Sequence, residues 1–384
     1  MQTAIGVISG TSMDAIDVAL VRTDGEQAVR TGPARSYPYH RLLREELLAV
    51  IDNPYRAEHL PMPELDDAVA DAHSNAVMRF MAENAIAREQ VDLVGFHGQT
   101  VFHAPQHKLT RQLGDGPRLA RRLGIPVVWK FRHADVAAGG EGAPFVPLYH
   151  RALAAGLQKP LIILNLGGVA NITWLDGEGI VAMDTGPASA LLDDFVQKRL
   201  GKPFDENGAL AASGSVNVAV LMKLLDNPFF DRPPPKSLDR NEFHQGAALV
   251  EGLSDADGAA TLAAFTVEAT LKCLPLLASR PGRLLVTGGG RRNSTFMKLF
   301  AARLGIPVEP VEAVGWDGDA LEAQCFAYLA VRSRRDLPLS LPTTTGVPQP
   351  MPGGEWLDAK GNAIARPEPP PVIEEPAEEP PAQD

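Results

Sequence analysis

The chain is patterned as short apolar runs that stop at polar, glycine-containing turns, separated by longer segments whose apolar residues recur at helical spacing. The first apolar run covers residues 3–8. In residues 16–21 the large apolar side chains Ile16, Val18 and Leu20 occupy every second position. Alternation with a period of two is typical of a strand. The opening pattern therefore predicts a strand, a short turn and a second strand.

The rest of the pattern predicts an α/β chain. Strands are expected at residues 29–39, 91–96, 125–128, 161–164, 169–175, 180–183 and 283–287, and helices at residues 42–51, 65–85, 118–123, 190–200, 259–277 and 294–304. The apolar stripe of the segment 65–85 indicates a helix that faces the core and carries no chemistry.

A short internal repeat suggests that the chain folds as two similar halves. Residues 120–127 recur almost intact as residues 301–308, and each copy ends a helix on glycine before Ile-Pro begins a strand. Each half also opens with a hairpin that turns on glycine. A common helix-stop sequence could produce the match by chance, but together with the hairpins it predicts two lobes of one topology and a cleft between them.

The turn of the first hairpin, Gly10-Thr11-Ser12-Met13-Asp14, has the residue types of a phosphate site. Glycine lets the backbone approach an anion, and successive backbone N–H groups form an anion-binding concavity. The hydroxyls add donors, and a nearby acid can hold Mg²⁺. The alternative is an ordinary hairpin turn, since these residues are all turn formers.

Polar groups follow several of the predicted strands. His97 and Gln99 follow the strand at 91–96, where hydrogen bonding to a polar substrate is expected, although a structural histidine is the alternative. A metal on His97 and His103 is disfavoured, because no third ligand completes the set. Asp184 ends the strand at 180–183, where an acid acts either in chemistry or as a helix cap. Gly288 follows the strand at 283–287 in a strand–glycine–helix order that suits a nucleotide.

Composition limits the class of protein. The net charge of −11 argues against a nucleic-acid partner, and two isolated cysteines imply no disulfide framework. No signal peptide is expected, nor any run of about 18 apolar residues that would span a membrane, so a reducing cytoplasm is the predicted setting. Residues 361–384 hold seven prolines and six acids against one arginine and are predicted to be a disordered tail.

Taken in order, these motifs resemble those of the anhydro-N-acetylmuramic acid kinases, a family of the actin, hexokinase and Hsp70 superfamily. The resemblance runs to about Gly354 and rests on the first turn together with the motifs at 97–100, 131–140, 165–171, 184–187, 288–293, 322–327 and 345–346. The chain departs from the family pattern at Ala15, Lys130, Ala188-Ser189 and Leu238-Asp239.

The resemblance implies a two-lobed α/β fold of the actin-like (ribonuclease H-like) ATPases, with duplicated domains and a central cleft. It places an N-terminal lobe at residues 1–133, completed by 336–360, and a C-terminal lobe at 134–335. It implies an ATP-dependent kinase that opens the anhydro sugar with water and phosphorylates O6, in cell-wall recycling. Members are commonly dimeric, which leaves a homodimer open.

The resemblance also assigns residues to roles. Asp184 would take a proton from the attacking water, while His97, Gln99, Arg132 and Glu322 would bind the sugar. An ion pair between Arg132 and Asp135 is the alternative for that arginine. Mg²⁺ would arrive with ATP, without assigned protein ligands. ATP would lie on Gly10, Thr11, Ser12, Met13, Asp14, Ala15, Ile16, Asp17, Gly167, Gly168, Asn171, Gly288, Gly289 and Gly290.

Two other functions fit the same sequence. One is a kinase of a different anhydro sugar with this fold, for which Arg132 would matter less if the sugar had no lactyl group. The other is a non-catalytic actin-like ATP-binding protein, which the presence of Asp184 disfavours. A P-loop kinase is disfavoured, because no GxxxxGK[ST] motif occurs.

Overall fold

The computed structural model describes residues 1–10, 13–238 and 243–366. The strands are β1 (Gln2–Ser9), β2 (Ala15–Thr23), β3 (Val29–Pro38), β4 (Leu93–Ala104), β5 (Leu109–Leu113), β6 (Val127–Trp129), β7 (Leu161–Leu166), β8 (Val169–Asp176), β9 (Gly179–Pro187), β10 (Leu284–Thr287), β11 (Val308–Pro310), β12 (Glu355–Leu357) and β13 (Ala363–Ile364). The helices are α1 (Arg41–Ile51), α2 (Pro54–His59), α3 (Pro63–Glu83), α4 (Gly116–Leu123), α5 (His133–Ala137), α6 (Pro147–Leu153), α7 (Ser189–Leu200), α8 (Ala209–Ser213), α9 (Val218–Leu225), α10 (Asp255–Cys273), α11 (Ser294–Leu304), α12 (Leu321–Arg334) and α13 (Pro342–Thr345).

Two sheets of matching topology organise these elements. In the first, the order β3-β2-β1-β4-β6 continues into β12 and β13, and β5 pairs with β4. The second runs β9-β8-β7-β10-β11. In each sheet three strands form an antiparallel meander, and its first strand then pairs in parallel with a later one. The prediction of two lobes with one topology, each opened by a glycine hairpin, is confirmed.

Three apolar cores hold the molecule together. One lies on the outer face of the first sheet under α1, α3 and α4, and one lies between the second sheet and α7, α10 and α11. The third lies between the sheets, where α6 and α12 pack against apolar side chains of both. Helix α12 follows β11 in the chain yet packs on β1, β2 and β4, so it ties the two sheets together.

The repeated segment folds alike in both halves. Gly124 and Gly305 each follow a helix in the left-handed conformation, with φ of 63°, and donate a backbone hydrogen bond to the carbonyl four residues earlier. Glycine is suited to this position because it has no Cβ to oppose a positive φ.

The structure alters three boundaries. Strand β4 continues to Ala104, because β5 pairs with its second half, so His97 and Gln99 lie inside a strand and not in a turn after it. Strand β9 likewise runs past Asp184 to Pro187. The tail was placed to start at 361, but residues 363–364 pair with β12; the rest of the tail, from 367, lies outside the described residues.

Within the described residues one helical stretch, Asp255–Leu276, is long and apolar enough to cross a membrane, and a bent pair of short helices at 206–225 passes the same test together. The window in Asp255–Leu276 is 67% buried inside the structure, where α10 packs against α7, α8, α9 and β9. This burial is that of a core helix of the second lobe.

Candidate functional site

The first hairpin turn is held from beneath by a buried polar network. Ser9 donates to Gln99 Oε1 at 2.7 Å and lies 2.7 Å from the Tyr39 hydroxyl, and the Gln99 side-chain amide donates to Gly10 O at 3.2 Å. Gln99 is fully buried. These contacts fix the start of the turn, so Gln99 supports the turn here, and its contact with a sugar stays a prediction.

The far side of the same turn is fixed by a strained residue and an arginine. Met13 is buried with φ of 55°, and its N–H donates to Gly10 O. Arg44 donates to Met13 O and pairs with the exposed Asp14 at 3.0 Å. Thr11 and Ser12 lie outside the described residues.

Strand β2 follows the turn directly. Ala15 and Ile16 begin the strand, and Ile16 is buried, whereas Asp17 accepts from Ser36 on β3 at 2.5 Å. Burial raises the pKa of Asp17, Ser36 opposes the rise, and the negative charge of Asp319 adds to it. Asp17 and Asp319 line a polar cavity of about 200 Å³.

The second hairpin presents glycine backbone to open space. A Cβ on Gly167 or Gly168 would meet nothing closer than 3.5 Å, and one on Gly289 would meet nothing within 4 Å. Gly288 and Gly290 differ, since a Cβ on either would collide with the second hairpin at 2.4–2.5 Å. The five predicted glycines of the second lobe thus divide into three that leave room for a ligand and two that pack the strand–helix turn against the hairpin.

Asp184 lies within β9 and pairs with Asn171 of β8 across the strands. Its backbone N–H donates to Lys236 O at 2.9 Å, and its Oδ2 accepts from Leu238 N–H at 2.8 Å. Burial raises the pKa of Asp184 to about 7; the Leu238 hydrogen bond opposes this, the charge of Glu141 adds to it, and Lys236 opposes it. A carboxylate with a pKa near neutrality is suited to proton transfer.

His97 and Arg132 form a linked pair. Arg132 Nε donates to His97 Nε2 at 2.9 Å, and His97 Nδ1 donates to Gly98 O at 2.9 Å. Burial, with the nearby Arg132 charge, lowers the pKa of His97 well below its usual value, so its ring is neutral and can accept from the arginine. His97 therefore orients Arg132.

Arg132 does not form the ion pair that was the alternative to a binding role. In the part of the chain that the structure describes, it has no salt bridge; it donates to Gly142 O and lies over the rings of Phe145 and Phe326. Both oxygens of Asp135 are used elsewhere, by Gly142 N–H and the Thr345 hydroxyl. Burial lowers the pKa of Arg132, against the charge of Glu322.

Glu322 lies in the first turn of α12 and is accessible to solvent, although much protein surrounds it. Burial raises its pKa, Arg132 lowers it, and Asp17 raises it. Glu322 thus lies within the influence of a positive charge, Arg132, and a negative one, Asp17. Among the described residues no group of three His, Cys, Asp or Glu side chains could hold a metal.

Residues that the sequence did not suggest also reach this region. Glu141 and Ser237 lie beside Asp184, and Ser237 donates to Glu141 Oε2 at 2.5 Å. The only sequence signal for Glu141 was its place among Gly139, Gly140 and Gly142.

Comparisons with known proteins agree on one family. A family model described as anhydro-N-acetylmuramic acid kinase matches residues 2–356. The protein of that name from Rhodospirillum rubrum is 49% identical over 370 residues, covering 94% of this chain and 97% of its own, and that from Acidiphilium cryptum is 53% identical over 355 residues, covering 91% and 97%. Among solved structures, component A of (R)-2-hydroxyglutaryl-CoA dehydratase from Acidaminococcus fermentans aligns with a TM-score of 0.46 and 10% identity, covering 86% of this chain and 98% of that one, which is too distant to support an inference.

Proposed function

Because the chain belongs to the anhydro-N-acetylmuramic acid kinase family, we propose that it opens 1,6-anhydro-N-acetylmuramic acid with water and phosphorylates O6 from ATP, giving N-acetylmuramic acid 6-phosphate. In this reaction water attacks C1, the C1–O6 bond breaks, and O6 takes the γ-phosphoryl group as ADP leaves. A role in cell-wall recycling in the cytoplasm belongs to the same proposal.

The observation that carries the mechanism is the setting of Asp184. Its carboxylate is half-buried and held by Leu238 N–H, and its pKa of about 7 lets it be ionised at neutral pH yet basic enough to accept a proton. In the proposed mechanism Asp184 takes the proton of the attacking water, which leaves O6 free to attack phosphorus.

The other side chains position the reactants. Arg132, oriented by neutral His97, is placed to bind the lactyl carboxylate, because its planar fork matches a carboxylate. Glu322 is an acceptor for sugar hydroxyls or the acetamido N–H. The first turn and the open glycines 167, 168 and 289 would cradle the phosphates of ATP, with Mg²⁺ neutralising charge on their oxygens.

The test compares Asp184→Asn with the native protein. Asparagine keeps the shape and can still accept from Leu238 N–H, but it removes the base, so turnover should fall by at least about a hundredfold. Native kcat/KM should rise with pH through about 7 and then level off, since only the ionised carboxylate accepts a proton. Asp226→Asn, which removes an exposed carboxylate after α9, is the matched control and should be neutral.

Calorimetric binding of ATP with Mg²⁺ and of the sugar to Asp184→Asn separates the alternatives. Retained binding with lost turnover supports the base, whereas loss of ATP affinity along with turnover would mean that Asp184 acts through Mg²⁺. Turnover near that of the native protein would refute a catalytic role and leave the structural role of accepting from Leu238 N–H. The helix-cap alternative is wrong, because Asp184 lies inside β9 and the N-cap of α7 is Ala188.

A further inference from the structure

The loop that carries Glu141 is pinned through its backbone on both sides. Glu141 N–H donates to Thr345 O at 2.7 Å, and Glu141 O accepts from His103 Nε2 at 2.9 Å. The next residue donates through its N–H to Asp135 Oδ1 at 2.7 Å and accepts from Arg132. With its backbone fixed in this way, Glu141 has a defined direction for its side chain.

That side chain reaches the segment that holds Asp184. Glu141 Oε2 accepts from Ser237, and the residues on either side of Ser237 are the two that bond to Asp184: Lys236 through its carbonyl and Leu238 through its N–H. The two carboxylates are therefore hydrogen-bonded to consecutive residues of one segment. The segment is otherwise tethered by Lys236, whose ammonium donates to the carbonyls of Phe229 and Phe230.

We propose that Glu141 is a positioning residue for Asp184: it holds the Lys236–Leu238 segment through Ser237 and places a second negative charge beside the base. This inference rests on the proposed role of Asp184 as the base. It deepens that role by naming what keeps the carboxylate oriented and ready to take a proton.

The charges around Asp184 support the second part of the proposal. Three groups face it from packed elements: Glu141 from the loop after α5, Lys236 from the excursion after α9, and Cys273 from the end of α10. Burial is the largest cause of the raised pKa of Asp184, Glu141 raises it further, and Lys236 opposes the rise. The Lys236 ammonium donates to backbone carbonyls and, among the described residues, forms no ion pair with Asp184.

Two variants separate the charge of Glu141 from its hydrogen bond. Glu141→Gln keeps an acceptor for Ser237 and removes the charge, so the pKa of Asp184 should fall and the acid limb of kcat/KM should move to lower pH by about one unit. Ser237→Ala keeps the charge and frees the segment, so kcat should fall by about tenfold or more with a smaller change in KM, while the limb stays in place.

The control is Glu178→Gln, which removes the same charge from the exposed turn between β8 and β9, at the far end of the strand that carries Asp184. It should match the native pH profile, and thermal unfolding should show that each variant is folded. The two test variants change the two partners of the Ser237–Glu141 hydrogen bond, so one of them suffices if the other does not fold.

The outcomes are distinct from those for the proposed function. This inference would be overturned if Asp184→Asn lost turnover while Glu141→Gln and Ser237→Ala both kept the native kcat and the native pH dependence of kcat/KM. Asp184 would then still be the base. Native turnover in Asp184→Asn would instead refute the base itself. A shifted limb in Glu141→Gln, absent in Glu178→Gln, supports the inference.

Discussion

The contact between α12 and the first sheet gives a sharp test of how the fold supports the site. Helix α12 lies so close to β1 and β4 that only glycine fits at two strand positions. A Cβ on Gly95 would lie 2.1 Å from Phe326 O and 2.8 Å from the carbonyl carbon, and one on Gly6 would lie 1.8 Å from Ala323 O. Because the atoms met are backbone, no side-chain rotation can relieve the collision.

The size of the effect follows from this distance. A Cβ at 2.1 Å is roughly 1 Å short of ordinary contact, so Gly95→Ala must push the helix outward by about that amount. Overpacking of this kind costs about 1–3 kcal/mol, and a Tm lower by about 5 °C is expected in a chain of this size. Phe326 packs on the His97 ring with centroids 4.5 Å apart and Glu322 begins the same helix, so turnover should fall by about tenfold or more.

The assay is thermal unfolding beside turnover with ATP, Mg²⁺ and the anhydro sugar. Gly156→Ala is the matched control, because a Cβ there meets nothing within 4 Å and the residue has no positive φ. It should be neutral in both measurements. Native Tm and native turnover in Gly95→Ala would refute the argument that the approach of α12 places the site.

Two further predictions concern buried anchors outside the reacting groups. Asp135→Ala leaves the Gly142 N–H and the Thr345 hydroxyl without their acceptor. Since a buried unpaired donor costs about 1–3 kcal/mol, the free energy of unfolding measured in urea should fall by about 2–4 kcal/mol. An unfolding free energy equal to that of the native protein would contradict this. Truncation after residue 366 should leave the Tm unchanged, whereas truncation after residue 360 should lower it. The reason is that Arg366 donates to the Gly353 and Gly354 carbonyls, pairs with Asp336 and lies over the Trp356 ring. Equal Tm values for the two truncated proteins would show that these contacts contribute nothing to stability.

The local elements could be predicted from sequence because their signals are local. The glycine hairpins, the α3 stripe and the helix stops at Gly124 and Gly305 depend on residues a few positions apart, and the structure confirms them. The repeat at 120–127 and 301–308 also pointed correctly to two lobes.

The remaining features depend on contacts between distant residues, which no local pattern reports. Strand β4 is lengthened by its partner β5, and β12 joins the first sheet from more than 200 residues away along the chain. Gln99 carried a substrate-type motif, yet its position beneath the turn depends on Ser9 and Tyr39. Glu141 had no signal beyond its glycine neighbours, because its relation to Asp184 exists only through Ser237.

The matching sheets also place one carboxylate of each lobe beside its hairpin turn, and burial acts on the two with different strength. Asp17 and Asn171 occupy equivalent places, each two positions into the pairing after its hairpin turn, and they pair across the strands with Ser36 and Asp184 respectively. Each lobe therefore sets one carboxylate against one neutral polar side chain at the cleft, but on opposite strands. In both lobes burial is the largest influence and raises the pKa of the carboxylate, a hydrogen bond opposes the rise, and a neighbouring acid adds to it; for Asp17 the last two are Ser36 and Asp319. For Asp184 the opposing hydrogen bond comes from Leu238 N–H and the neighbouring acid is Glu141, and there burial is strong enough to raise the pKa to about 7, which suits a base. One topology used twice thus yields two chemically different carboxylates facing a single cleft.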